Sequence, residues 1–260
     1  MIISFLKDVI FYFLNLFNSS LKRKASILMY HSIGDNNAFF TVSPKVFDKQ
    51  LAYLKTKNFS VIKLSDLINR LKTGQDISNC VCLTFDDGYL DNLTIALPIL
   101  KKYNFPATIF IATGFLGKIF YSSQGISLPV MSEHDIKKFA SQQIEFMPHT
   151  VNHVLLDILS VNDYDKELLK SREKIEQLTE KPANILAYPK GKYNQNVIEY
   201  LKLNNWDGAV TVEEGLVKMG DDRFKLKRNS IDSTTSFIQF KSKVSGTIDI
   251  YQKIKSWLKL

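Results

Sequence analysis

The chain has 260 residues, 45% of them hydrophobic and 23% charged, which excludes a disordered or low-complexity protein and suits one large domain. Its 34 Lys and Arg against 26 Asp and Glu leave a net charge of +8, favouring anionic partners. The basic residues are spread along the chain, with no arginine-rich block and no zinc-finger or RNA-binding signature, so nucleic acid is not an expected partner.

The chain opens on MIISFLKDVIFYFLNLF. Ile2, Leu6, Val9, Phe13 and Leu16 recur at helical spacing, with Phe5, Ile10 and Phe17 beside them and Ser4, Asp8 and Asn15 on another side. The stretch is shorter than the ~20 apolar residues a bilayer span needs, and Lys7 and Asp8 interrupt it. No positive start or small-residue cleavage site marks it as a signal peptide. Residues 1–24 are expected to form an amphipathic helix. It lies in a membrane interface, with Lys22, Arg23 and Lys24 meeting anionic head groups, or it packs on the protein's own core. The density of Phe and Ile favours the membrane.

Residues 25–245 read as one domain of alternating strands and helices. ASILMYHSI is a first strand. SPKVFDKQLAYLKTKNF is a helix with Ser43 as its cap and Pro44 at the first helical position. VCLTFDD is a buried strand, YLDNLTIALPILKKYNF a helix and PATIFIAT a strand. MSEHDIKKFASQQ is a helix capped by Ser132, and the strand IEFM follows. SVNDYDKELLKSREKIEQLTE reads as one long surface helix, NILAYPKG as a strand and NQNVIEYLKLNN as a helix. WDGAVTV and FKLKRNSI close the domain as strands. Residues 246–260, with Ile254, Trp257 and Leu258 against Lys253, Lys255 and Lys259, form a basic amphipathic helix.

This order predicts an α/β fold, a distorted (β/α) barrel of about seven parallel strands. Functional residues of such barrels sit where strands end. His31, Asp86, Asp87, His149, His153, Lys190 and Gly191 all fall there, and Arg228 lies in the last strand. Cys80 and Cys82 share one strand face, which makes them small core residues rather than a disulfide and fits a reducing compartment without proving one.

Two neighbouring carboxylates, Asp86 and Asp87, repel each other unless a cation compensates them. Asp-Asp-Gly alone is also ordinary turn chemistry. HTVNH places His149 and His153 four residues apart, so that on a helical turn both would face one ion. With one aspartate they form a His-His-Asp set that leaves coordination positions open, the arrangement of a catalytic metal. The second aspartate is then placed to take a proton from water.

These stretches resemble the polysaccharide deacetylase family, also called the NodB-homology proteins or carbohydrate esterase family four. LTFDDGYLDN is similar to its first motif, HTVNH to its second with the H-x-x-x-H spacing, and AYPKGKYN to its third. ILMYHSI and VSPKVFDKQLAYLK are similar to the opening of the subgroup that includes biofilm poly-N-acetylglucosamine deacetylases, and the likeness runs from about Ile27 to Ile231. The resemblance implies a metal-dependent N-deacetylase of an amino sugar in a cell-surface polysaccharide or lipid-linked saccharide. It implies Asp86 as base, Asp87, His149 and His153 as ligands of one divalent ion (zinc, or cobalt, nickel or iron) and His31 as general acid. Thr150 would hold the ligand loop, and the backbone N–H of Lys190 would serve the oxyanion. Tyr89, Tyr188 and Pro189 are expected against the substrate. The implied setting is the bacterial cell envelope, peripheral on the membrane, on either face.

The chain departs from the pattern at Ala187, where many relatives carry an arginine that tethers the base; Arg228 is expected to supply that charge. No histidine follows His153, which leaves His31 as the histidine for general acid, and His134 is expected at the surface. Three other readings stand beside this one. They are a non-catalytic glycan-binding protein with a retained metal site, a deformylase of a lipid-linked amino sugar, and a two-histidine, one-carboxylate iron oxygenase. The alternation of strands and helices speaks against the last.

Overall fold

The structure is a computed structural model that describes residues 8–14, 21–121, 126–140 and 143–257. Seven short parallel strands form the wall of a distorted barrel: β1 (Lys24–Tyr30), β2 (Cys80–Phe85), β3 (Ala107–Ile111), β4 (Ile144–Pro148), β5 (Ile185–Ala187), β6 (Gly208–Val210) and β7 (Asn229–Ser230). The continuous part runs β7–β1–β2–β3–β4, with Ser60–Val61 also pairing with β2 and Val217–Lys218 antiparallel to β1. β5 and β6 form a separate pair, and a bridge from Val210 to Leu226 links that pair toward β7.

Each wall strand is an apolar run because helices cover it outside and side chains fill it inside. Cys80–Phe85 is buried at every position, as a strand covered on both faces requires. Both cysteines are free thiols in this core. The register is what places the site. Tyr30 stands level with Phe85 and Ile111 level with Pro148, so His31, Asp86 and His149 emerge at one rim.

Sequence signals at helix starts hold. Ser43 accepts from the N–H of Val46 ahead of Pro44–Thr56, whose Phe47, Leu51 and Leu54 face inward. Ser132 and Asp135 form a capping box before Glu133–Phe139, on which His134 is exposed. The end of that predicted helix, Ser141 and Gln142, lies outside the described residues.

Two elements differ from expectation. The predicted long helix at 160–180 is a 3-10 turn, a wide π turn at Asp165–Leu169 and the α-helix Lys170–Thr179. The last strand shrinks to Asn229–Ser230, because Arg228 N–H donates to Glu213 O and its side chain turns inward.

At the termini, residues 8–14 are helical and rest on Phe237–Lys243 and Thr247–Trp257. Phe11 meets Tyr251, and Asp8 accepts from Ser236 and Gln239. Of the expected helix 1–24, residues 1–7 and 15–20 lie outside the described residues, as do Leu258 and Lys259, and residues 21–23 are a turn leading into β1 rather than helix. No helix among the described residues is long and apolar enough to cross a membrane. Lys24, expected to meet head groups, instead begins β1 and pairs with Asp249 at 2.9 Å.

Candidate active site

In an extended strand Asp86 and Asp87 would point to opposite faces. Thr84 and Asp86 face the barrel interior, while Phe85 packs between Tyr30 and Phe47 on the other side. The chain then turns. Asp87 has φ +69° and Gly88 φ +71°, which swings the second carboxylate back so that both line one cavity of about 420 Å³. A left-handed Asp costs about 1–2 kcal/mol. Thr150 and His153, at φ +65° and +54°, carry the same kind of strain around the same cavity, and Lys190 does so at φ +53°.

The two carboxylates live in different surroundings. Asp86 is matched oxygen for nitrogen by Arg228: Nη1 donates to Oδ1 and Nη2 to Oδ2, each at 2.7 Å. Arg228 is fully buried. Its Nε donates to Thr211 O, Nη1 also reaches Thr84, and the guanidinium lies over the Phe110 ring. Burial alone would push the Asp86 carboxyl up. The charge and hydrogen bonds of Arg228 overcome it and hold the group well below the usual carboxylate range.

Asp87 has no such cation. Its Oδ1 is buried without a hydrogen-bond partner, 3.6 Å from His149 Nε2 and 3.5 Å from His153 Nε2. His149 Nδ1 lies 2.7 Å from the Ala187 carbonyl, which requires the proton on Nδ1 and leaves the Nε2 lone pair facing Asp87. That bond also closes the gap in the barrel wall between β4 and β5. His153 is pushed down to about 4, chiefly by burial, so it too offers a lone pair at neutral pH. Two imidazole lone pairs converging on an unpartnered carboxylate oxygen repel one another unless a cation sits among them. One ligand atom from each of the three residues lies within 4.8 Å of the others, and the set fits a metal ion.

The histidines do not reach this arrangement from a helical turn. His149 follows β4, and residues 150–153 form an irregular loop. The loop is fixed from outside. Thr113 N–H and Ser171 Oγ–H donate to Thr150 O, and Gly114 N–H donates to Val151 O at 2.8 Å. A Cβ on Gly114 would stand 2.8 Å from that same oxygen, so only glycine permits the approach. Glu167, from the wide turn, accepts the N–H groups of Val151 and Asn152 on Oε2 and the Asn152 amide on Oε1.

Sequence reasoning missed Glu167, because its stretch reads as one unbroken helix and the wide turn that carries it leaves no local signal. Glu167→Gln keeps the shape but loses charge and one acceptor. It is expected to weaken metal binding about tenfold with the fold retained, as measured by titrating metal into chelated protein. An unchanged dissociation constant would remove Glu167 from the site.

His31 lines the cavity with Phe40 beside its ring. Its segment is pinned from the first motif: Asn92 donates to His31 O, Ser32 Oγ–H to Asp91 at 2.6 Å, and Ile33 N–H to Asp91. Burial, opposed by those two bonds, lifts the Asp91 carboxyl to about 6. Tyr89 also lines the cavity, stacked on Phe40; burial, then the charge of Asp87, pushes its hydroxyl up and keeps it protonated. Lys190 lies at the cavity edge.

Tyr188 and Pro189 are corrected. Tyr188 is wholly buried, donates its hydroxyl to Phe224 O and stacks on Tyr193, and neither residue lines the cavity. Strand alternation explains it. Ile185 and Ala187 face the barrel core, so Leu186 and Tyr188 face the outer layer. Asp232 and the aromatic wall of Phe39, Phe120 and Tyr121 line the cavity and were not foreseen.

A family model described as polysaccharide deacetylase matches residues 73–208, just over half of the chain. The chain belongs to the polysaccharide deacetylase family. It is an amide-bond hydrolase of that family, whose members depend on a metal. It is 27% identical over 201 residues to a poly-β-1,6-N-acetyl-D-glucosamine N-deacetylase of Staphylococcus aureus, covering 73% of this chain and 67% of that protein. Among solved structures it is similar to the Streptococcus pyogenes deacetylase PplD in complex with acetate. The TM-score is 0.76 and the identity 27%, over 86% of this chain and 99% of that one. It is also similar to a Bacillus cereus polysaccharide deacetylase, with TM-score 0.72 and identity 27%, over 86% and 69% of the two chains. The family match leaves out His31 and Arg228, so their places rest on the geometry of this chain.

Proposed function

We propose that the protein removes the N-acetyl group from an amino sugar within a glycan, using one divalent cation held by Asp87, His149 and His153. The observation that carries the reading is the unequal pair: one aspartate locked to an arginine, its neighbour with one oxygen unpartnered between two imidazoles. Mixed nitrogen and oxygen donors with open positions suit zinc. Such an ion supplies a polarised carbonyl and a more acidic water.

The chain's own residues do the rest. Asp86, ionised at neutral pH and fixed by Arg228, accepts the proton of the water that adds to the acetamide carbon. Its pairing with Arg228 lowers its basicity and gives orientation in exchange. The Lys190 N–H, from the cavity edge, would donate to the oxyanion. As the C–N bond breaks, His31 delivers a proton to the departing nitrogen. Acetate and a free amino sugar leave.

A glycan fits the mouth, where Phe39 and Tyr121 are exposed and offer flat apolar faces beside the polar centre. The name of the staphylococcal relative supports a polymer of N-acetylglucosamine. Acetate release from β-1,6-linked N-acetylglucosamine oligosaccharides tests the proposal. Chelation is expected to lower kcat by about 100-fold or more, since a catalytic ion supplies several kcal/mol. Zinc should restore it. Acetate release that survives full metal removal would overturn the reading, and formate release from an N-formyl substrate alone would favour the deformylase.

A further inference from the structure

We infer that the face built by helix 8–14 and the outer side of Thr247–Trp257 docks on an anionic lipid bilayer. Helix 8–14 is apolar almost all the way round. Phe11 faces the protein and touches Tyr251, with ring centroids 4.6 Å apart. Val9 and Phe13 point the opposite way, with Ile10 and Tyr12 on the flanks, and all four are exposed, Phe13 at 57%. An exposed helix normally carries its polar residues on that outer face. Here the inner face is already used, so among the described residues the outer one is an unpartnered apolar surface.

A second observation says what covers it. On the helix Thr247–Trp257, the side chains next to the Phe11 contact are Ile254 and then Trp257, which is 83% exposed. Trp257 is also the edge of a cavity of about 470 Å³ lined by Lys218, Lys227 and Lys253. The two acids in that cavity are taken. Glu214 accepts from Lys243 and Gln252, and Asp249 from Lys24 and the Leu216 N–H, with Lys218 3.5 Å away. Among the described residues Lys227 and Lys253 have no ion-pair partner. An apolar strip edged by Tyr and Trp and bordered by unpaired lysines is the pattern of a helix lying in a headgroup region. Acidic headgroups complement the lysines, whereas a second copy of the chain would bring its own. The chain's net charge of +8 acts in the same direction.

The inference stands apart from the catalytic reading, and one experiment separates them. The full chain, in its metal-loaded form, is sedimented with vesicles of phosphatidylcholine alone or with about one third phosphatidylglycerol. Acetate release from soluble oligosaccharide is measured in parallel. Wild type should partition onto the anionic vesicles at least tenfold better than onto neutral ones, less so as salt rises. Phe13→Glu should lower partitioning tenfold or more, and Lys227→Glu with Lys253→Glu should abolish the preference for phosphatidylglycerol. Both variants should keep the melting temperature and the soluble activity of wild type, because all three positions lie away from the cavity of the two aspartates. The inference is overturned if wild type stays with the supernatant, or if Phe13→Glu partitions like wild type. It is overturned too if sedimentation equilibrium shows a dimer that Phe13→Glu dissolves while lipid binding is absent. If the lipid results hold and no form releases acetate, the catalytic reading fails and this one stands.

Discussion

Replacing Arg228 with methionine is expected to lower the melting temperature by roughly 10 °C at pH 7 and to move the acid limb of kcat/KM to higher pH. The guanidinium is wholly buried, and its hydrogen bonds go to the Asp86 carboxylate, Thr211 O and Thr84, with the Phe110 ring against its face. Methionine fills much of the volume but leaves Asp86 charged, buried and unmatched. Breaking one side of a buried pair costs about 3–5 kcal/mol. At a few degrees per kcal/mol for a domain of this size, the shift is easily read.

The sign of the pH dependence follows from the direction of the Asp86 shift. In the native protein its pKa lies below the unfolded value, so the pair's stabilisation is complete above the unfolded carboxylate range and drains away as pH falls from that range through the lower native pKa. Without Arg228, burial, the largest influence, is unopposed by its main counterweight, and the carboxyl rises. The variant should then gain stability, relative to wild type, as pH falls from 7 to 5. Arg228→Lys should fall between the two, since an ammonium cannot match both oxygens. Thermal melts of metal-free protein across pH test the stability claim, and initial rates of loaded enzyme test the activity claim. A methionine variant that melts within about 2 °C of wild type and keeps its acid limb would show that the ion pair holds nothing.

Much of the site was legible because a parallel barrel presents chemistry at strand ends. An apolar run ending in Asp-Asp-Gly, and a second ending in histidine, could be placed at one rim before any distance was known. What brings Asp87 and His153 to the ion position was not legible. It depends on positive φ at Asp87, Thr150 and His153, and nothing local favours that conformation for a β-branched threonine. It also depends on Glu167, which comes from a turn of a helix that the sequence pattern reads as uniform. The misplacement of Tyr188 was avoidable. Counting alternate positions through ILAY puts Ala187 inward and the tyrosine out, and its motif position outweighed that count. The shift of the tethering arginine to position 228 is a long-range substitution, visible only as an arginine in an otherwise structural strand.

Asp86→Asn is expected to cut kcat by about 100- to 10,000-fold while leaving metal stoichiometry at that of wild type. The asparagine keeps the shape of the side chain and can still accept one bond from Arg228, but it cannot take a proton from water. The ligand trio is untouched, because Asp87, His149 and His153 contact one another and the Ala187 carbonyl rather than Asp86. The loss should therefore fall on kcat, with KM nearly constant, since the carboxylate acts in the reacting state more than in ground-state binding. Some stability should also go, as Arg228 loses its countercharge, so the rate is measured well below the variant's melting point. The contrast with Asp87→Asn decides which aspartate does what. That variant should lose metal affinity and activity together, with excess zinc recovering part of the rate. If Asp86→Asn instead keeps activity within tenfold of wild type, the proton acceptor is another group. Asp232, the remaining carboxylate lining the cavity, would then be the one to replace next.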